Sequence, residues 1–268
     1  MQPCTVNKIQ VGNSRPVLMG IINISPESFF SGSYVPDDQI RCTAEDMITH
    51  GADIIDIGAR STAPGSRIIS VNEEKERLTA ALKTLDGTGI TVSVDTMYPE
   101  VLEAALTHDI HMANDISGLL NPEIAQLIAD AGIPAILMTA NQTPGDCCNF
   151  EETMKSLHTV TDRAMIAGVQ SYILDPGVGR WIPERTPEAD FEICRRFQEL
   201  SVFDRPLLAA ISRKTFLGSA TGKNPEDRLA ATLAVTAGLV LSGAAMIRTH
   251  DIPETMDLIN VITALQAA

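Results

Sequence analysis

Val17-Leu-Met-Gly-Ile-Ile-Asn-Ile-Ser-Pro-Glu-Ser-Phe29 opens on six apolar residues, stops at the amide of Asn23, and breaks at Ser25-Pro26. An apolar run of this length, rich in Ile, Val and Leu, is a strand with both faces covered; a half-exposed strand would alternate. A covered strand that ends on an amide and a polar turn has the form of a site rim. Seven further runs of the same kind follow: Asp53–Ile57, Thr91–Val94, His111–Asn114, Ala135–Met138, Ser171–Leu174, Leu207–Ile211 and Ala244–Ile247. Eight covered strands with a crossover-length segment after each give a single-domain α/β fold, a (β/α)8 TIM barrel spanning residues 1–268. A doubly wound open sheet is the competing arrangement, but nothing in it requires this number of strands.

The connecting segments have helical periodicity. Gln39–His50 precedes the second strand, Asn72–Leu85 sets Glu73, Glu74 and Glu76 beside Leu78 and Leu82, and Pro99–Thr107 starts with proline in a first turn. Thr153–Ala167 and Pro187–Glu199 are amphipathic, whereas Asp227–Leu241 is largely apolar. Polar residues close strand after strand: Asn23, Asp56, Asp95, Asn114, Asp175, Ser212 with Lys214, and Arg248. Any one of them could be a turn or cap residue. In a barrel, however, all of these ends converge on the carboxyl face, where reaction chemistry is placed.

Composition narrows the partners. Twenty Lys and Arg against 34 Asp and Glu leave a net charge of −14, which repels nucleic acid and anionic membranes. An anionic substrate must therefore be caught by individual cations placed at loops. Cys4, Cys42, Cys147, Cys148 and Cys194 form no C-x-x-C pair and no zinc-like cluster, as expected in a reducing cytoplasm. No apolar stretch has signal-peptide character or membrane-spanning length, and no low-complexity linker divides the chain.

Seven motifs, in order, resemble the dihydropteroate synthases and the wider pterin-binding barrel family. They are Met19 to Phe29, Gly51-Ala-Asp-Ile-Ile-Asp-Ile-Gly58 with Ser61-Thr-Ala-Pro-Gly65, Ser93-Val-Asp-Thr96, Asn114-Asp-Ile-Ser-Gly118, Leu174-Asp-Pro-Gly-Val-Gly179, Ser212-Arg-Lys-Thr-Phe-Leu-Gly218 and Arg248-Thr-His-Asp251. The resemblance implies an alkyl-group transferase of folate biosynthesis. Such an enzyme condenses 6-hydroxymethyl-7,8-dihydropterin diphosphate with para-aminobenzoate and releases pyrophosphate. It implies that Asp95, Asn114, Asp175 and Lys214 hold the pterin, with Thr62 and Ser212 among the substrate contacts. It also implies that Asn23, Lys214, Arg248 and His250 act at the reaction centre, with Asn23 facing a Mg2+ on the leaving group, and that the protein is a homodimer. The residue types suit those tasks: a carboxylate matches the paired N–H donors of an aminopyrimidinone, and an arginine forks onto phosphate oxygens.

Several positions depart from the family pattern. Arg60 stands at a usually acidic position and Ala63 where the loop arginine belongs, so Arg60 is a candidate replacement for the missing charge. Thr139 replaces the histidine after the fifth strand. Arg180 replaces the aromatic residue expected to pack on the arylamine, and Trp181-Ile-Pro-Glu-Arg185 continues from it. Two added guanidinium groups, Arg180 and Arg185, would suit an arylamine carrying a ribofuranosyl phosphate, the acceptor of the related synthase of tetrahydromethanopterin biosynthesis. A stack of Arg180 on a simple benzoate ring is the smaller change. A non-catalytic pterin-binding homologue is the further alternative. A corrinoid-linked methyltransferase would have no use for Asn23, Ser212 to Lys214 and Arg248 to His250 together.

Overall fold

A computed structural model of the chain describes residues 2–13, 15–25, 34–60 and 67–266. Its centre is an eight-stranded parallel sheet built from β3 (Val17–Asn23), β4 (Ile54–Gly58), β5 (Val92–Asp95), β6 (Met112–Asp115), β7 (Ala135–Met138), β8 (Tyr172–Asp175), β9 (Leu208–Ala209) and β10 (Met246–Thr249). Neighbours run in sequence from β3 to β8, and β10 lies between β3 and β9. A parallel bridge from Leu174 to Leu207, with Leu174 N–H donating to Pro206 O at 2.9 Å, joins β8 to the start of β9. That contact closes the ring, and the fold is the (β/α)8 TIM barrel expected from the strand count. Every one of the eight runs is a strand, offset by at most a few residues at its ends.

The helices follow the strands: α1 (Ile40–Thr49), α2 (Val71–Leu85), α3 (Pro99–Ala105), α4 (Pro122–Ala131), α5 (Phe150–Ala167), α6 (Pro187–Arg195), α7 (Thr215–Thr221), α8 (Leu229–Leu241) and α9 (Ile252–Gln266). Their starts obey local chemistry. Ser70, Asn121, Asn149 and Thr186 each accept a backbone N–H in the first turn of the helix they precede. Proline occupies the first turn of α3, α4 and α6, where its missing N–H costs nothing. The run expected to be helical from Asp227 instead starts α8 at Leu229, because Pro225–Asp227 forms a separate 3-10 turn.

Side-chain alternation along the strands divides the core. Leu18, Ile22, Ile55, Ile57, Val92, Val94 and Ile247 point outward and pack under the helices. Val17, Met19, Ile54, Met112, Ile136, Ile173, Leu208 and Met246 point inward and fill the barrel. Cys4, Val6 and Val11 join this inner cluster from a short antiparallel hairpin, β1 (Cys4–Val6) with β2 (Ile9–Val11), which stoppers the amino end of the barrel. Two three-residue strands are too short to stand out as a pattern in the sequence. With the barrel plugged by hydrocarbon below, only its carboxyl end can accept a polar ligand.

Candidate active site

The inward rows turn polar at the carboxyl end. Asn23 is in register with Gly58, Gly58 with Asp95, and Asp95 with Asn114, so one ladder carries three of the expected residues round the rim. Arg248, on β10, reaches across this arc. Its Nε–H donates to Asp56 Oδ2 at 2.6 Å and its Nη2 to Asp95 Oδ2 at 2.7 Å, while the Asn114 amide donates to the same Asp56 oxygen at 3.0 Å. Asp56 is completely buried, while the Asp95 side chain is 23% exposed and stands nearer the opening. Burial pushes the Asp95 carboxyl up to about 7, against the pull of Arg248 and with further push from Asp56, Glu74 and Asp115. Burial pulls down on the Arg248 guanidinium too, but Asp56 and Asp95 outweigh it and hold its proton more tightly than usual.

Asp175 and Lys214 form the second group. Asp175 Oδ1 accepts Gly177 N–H at 2.8 Å, which fixes the carboxylate in the turn after β8. The Lys214 ammonium donates to Val178 O and lies 5.5 Å from the centre of the Trp181 ring. Burial raises the Asp175 pKa and lowers that of Lys214, and each shift is opposed by the charge of the other group. Gly179 makes the lysine's path possible: its φ is +131°, and a β-carbon there would sit 3.1 Å from Lys214 Cδ.

Ser212 and His250 meet at 3.0 Å between Oγ and Nδ1. Burial, together with the charge of Arg248, holds the His250 pKa down at about 3, so its imidazole is neutral at physiological pH. Arg213, inside the Ser212-Arg-Lys214 motif, turns its guanidinium to the neighbouring turns. It forks onto Asp251 at 3.0 and 2.6 Å and donates to Pro225 O and Glu226 O, tying the turn after β9 to the turn after β10. That clamp sets the positions of the residues on either side of it.

The structure therefore brings Asp95, Asn114, Asp175, Ser212, Lys214, Arg248 and His250 to one end of the barrel, with Asn23 closing β3 beside them. Thr62, and the departure at Ala63, lie outside the described residues. The two arginines proposed for an acceptor phosphate separate. Arg180 is exposed and donates only weakly to Pro183 O at 3.4 Å. Arg185 is fully buried: its Nε–H donates to Asp190 Oδ1 at 2.9 Å and its Nη1 to Cys147 O at 2.8 Å, while Nη2 lies 2.8 Å from Asp190 Oδ1 off the hydrogen-bond direction. The expectation for Arg185 is thus corrected, since its side chain is completely sealed from the opening and presents no N–H at the surface to a phosphate.

Arg60 is similarly committed. It pairs with buried Glu74 at 2.5 Å and stacks 4.8 Å from the Tyr98 ring, while Thr96 donates to the other Glu74 oxygen at 2.7 Å. It is not a loose replacement for the cation missing at Ala63. Buried Thr139 takes the place of a histidine by donating to Pro176 O at 3.3 Å. Asp56 has no task in the family resemblance, yet it anchors two residues of the site; its signal in the sequence is the acidic residue inside Ile54-Ile-Asp-Ile-Gly58.

Comparison with known proteins agrees with this geometry. A family model described as pterin binding enzyme matches residues 19–250. A type-3 dihydropteroate synthase of Escherichia coli is 34% identical over 260 residues, covering 92% of this chain and 98% of that protein. The solved dihydropteroate synthase of Xanthomonas albilineans with 4-aminobenzoic acid has a TM-score of 0.88 at 30% identity, covering 99% of this chain and 98% of its own. That of Coxiella burnetii in complex with pteroic acid also has a TM-score of 0.88, at 28% identity, covering 100% of this chain and 99% of its own.

Proposed function

Because this chain belongs to the pterin binding enzyme family, we propose that it is a dihydropteroate synthase, a transferase that joins 6-hydroxymethyl-7,8-dihydropterin diphosphate to para-aminobenzoate in folate biosynthesis. The observation that carries the reading is the convergence of Asp95, Asn114, Asp175, Lys214 and Arg248 at the open end of a barrel whose other end is plugged. Asp175, anchored through Oδ1, accepts the adjacent N–H donors of the aminopyrimidinone with its other oxygen. Asn114 and Asp95 meet further ring edges, and the Lys214 ammonium faces a ring nitrogen or carbonyl. Arg248 and neutral His250 take the diphosphate, the first by charge and the second by hydrogen bonding; Ser212 holds the imidazole.

In the reaction the methylene C–O bond breaks and its electron pair leaves with the diphosphate. The electron-rich dihydropterin stabilises the carbon that remains, and Arg248 stabilises the charge gathering on the leaving oxygen. The neutral arylamine nitrogen then bonds to that carbon and loses its proton to pyrophosphate or water. No side chain needs to attack, so no covalent enzyme intermediate forms. The residue that would hold a Mg2+ at the leaving diphosphate is Asn23, since Mg2+ commonly takes few protein ligands and completes its shell with water and substrate phosphates. Bound there, it would supply Lewis-acid charge at the leaving group.

Commitment of Arg185 to Asp190 favours para-aminobenzoate over a phosphorylated arylamine. The same reading takes the enzyme to be cytoplasmic, where its five free cysteines would stay reduced. It also takes the protein to be a homodimer. Incubation with dihydropterin diphosphate and para-aminobenzoate should release pyrophosphate and dihydropteroate in equal amounts. Tight pterin binding without either product would overturn the synthase reading in favour of a non-catalytic binder.

A further inference from the structure

Asp56 ties two residues of the barrel mouth together from beneath. It is 0% exposed, and its Oδ2 accepts at once from Arg248 Nε at 2.6 Å and from Asn114 Nδ2 at 3.0 Å. Its Oδ1 is buried with no hydrogen-bond partner among the described residues, so packing alone gives no reason to keep a carboxylate there. The two residues it holds belong to opposite ends of the substrate in the synthase reading, on which this inference rests.

We infer that Asp56 is a positioning residue that aims Asn114 at the pterin and Arg248 at the diphosphate through one shared oxygen. The geometry of each partner gives the reason. An amide can turn either its oxygen or its NH2 toward a neighbour, and a carboxylate accepts only from the NH2. Asp56 therefore fixes Asn114 with its carbonyl oxygen presented elsewhere, as an acceptor for a ring N–H. A guanidinium is planar, so anchoring Nε–H on Asp56 and Nη2 on Asp95 fixes the plane of Arg248. Of its five N–H donors three then remain, on the edge away from those carboxylates. One buried oxygen thus sets both the donor pattern read at the ring and the direction of the fork at the leaving group.

Asp56→Asn tests this, because its one carbonyl oxygen can replace the shared oxygen only by burying an unpartnered NH2 where Oδ1 stands, and otherwise turns that NH2 toward both donors; in either orientation the charge that anchors them is lost. The measurements are melting temperature, calorimetric binding of 6-hydroxymethylpterin and of inorganic pyrophosphate as separate probes, and steady-state kinetics. Each probe should bind about tenfold more weakly or worse, and KM for the pterin diphosphate should rise by a similar factor, while KM for para-aminobenzoate stays within about twofold. In the Asp56→Asn, Arg248→Gln double variant, pyrophosphate should bind no more weakly than in Arg248→Gln alone. Unchanged affinity for either probe, or additive losses in the double variant, would overturn the proposal; so would a lower melting temperature accompanied by wild-type binding. If Asp56→Asn does not fold, Asp56→Glu keeps the charge while displacing both hydrogen bonds, and wild-type affinities in that variant would overturn it equally. A wild-type enzyme that binds both probes yet forms no product would defeat the synthase reading while leaving these binding outcomes to decide the role of Asp56.

Discussion

Asp95 is the residue where charge, site and stability meet. Its carboxyl is raised to about 7 from 3.8, so protonation in the neutral range removes one of the two carboxylates on Arg248. The value of kcat/KM for the pterin diphosphate should therefore fall as pH drops through about 7, and Asp95→Asn should be weaker but flat across that range. Stability moves the other way. A carboxyl whose folded pKa lies above its unfolded value contributes stability that is full below 3.8 and is lost as pH rises through about 7. Relative to Asp95→Asn, the wild type should thus gain melting temperature between pH 8 and pH 5, about 2–4 °C for each ~1 kcal/mol. A kinetic profile unchanged by Asp95→Asn, or a melting difference that does not vary with pH, would count against the assignment. Asp95, Asn114 and Asp175 were legible in the sequence because each closes an apolar run, where chain direction alone carries it to the mouth. Asp56 is read from the sequence as closing its strand, but β4 runs on to Gly58, and the place of Asp56 in the network depends on which neighbours the barrel brings across from β6 and β10.

The turn after β8 and the approach to α6 contain two arginines, Arg180 and Arg185, that the sequence alone assigns to one task. Asp190, in the first turn of α6, accepts Gly179 N–H at 2.8 Å and Arg185 Nε–H at 2.9 Å, while Arg185 reaches back to Cys147 O. This buried pair fastens α6 to the turn that guides Lys214 past Gly179. Spacing from Asp175 could place Arg180 and Arg185 in the same loop, but only the packed helix reveals that one faces solvent and the other a buried carboxylate. Arg185→Met should leave Asp190 buried and unpaired at a cost of about 3–5 kcal/mol, and lower kcat/KM because the turn carrying Val178 O loosens around the lysine. Arg180→Met should change stability by no more than about 0.5 kcal/mol. Thermal and chemical denaturation of the two variants would separate these roles; equal effects would contradict the division.

At the scale of the whole molecule, helices cover the outside of the barrel and leave its apolar inner strands dry, yet the last two helices keep large apolar groups in water. Leu241 at the end of α8 is 61% exposed, and Val261 and Leu265 on α9 are 59% and 76% exposed. The two helices pack on each other, so these side chains belong to one side of the barrel. A second copy of the chain is the partner that the homodimer reading supplies, since the same surface on both subunits can bury itself about a twofold axis. Strong overall acidity opposes association of two copies, so in that reading the interface would rely on apolar contact and added salt should tighten it. Light scattering should give twice the 28.8 kDa chain mass, and Val261→Glu with Leu265→Glu should give the single-chain mass. Every residue brought together at the barrel mouth comes from one chain, so the dissociated variant should keep its KM for the pterin diphosphate. A wild-type protein that remains a single chain at high concentration and high salt would remove the dimer from the reading while leaving the barrel-mouth chemistry intact.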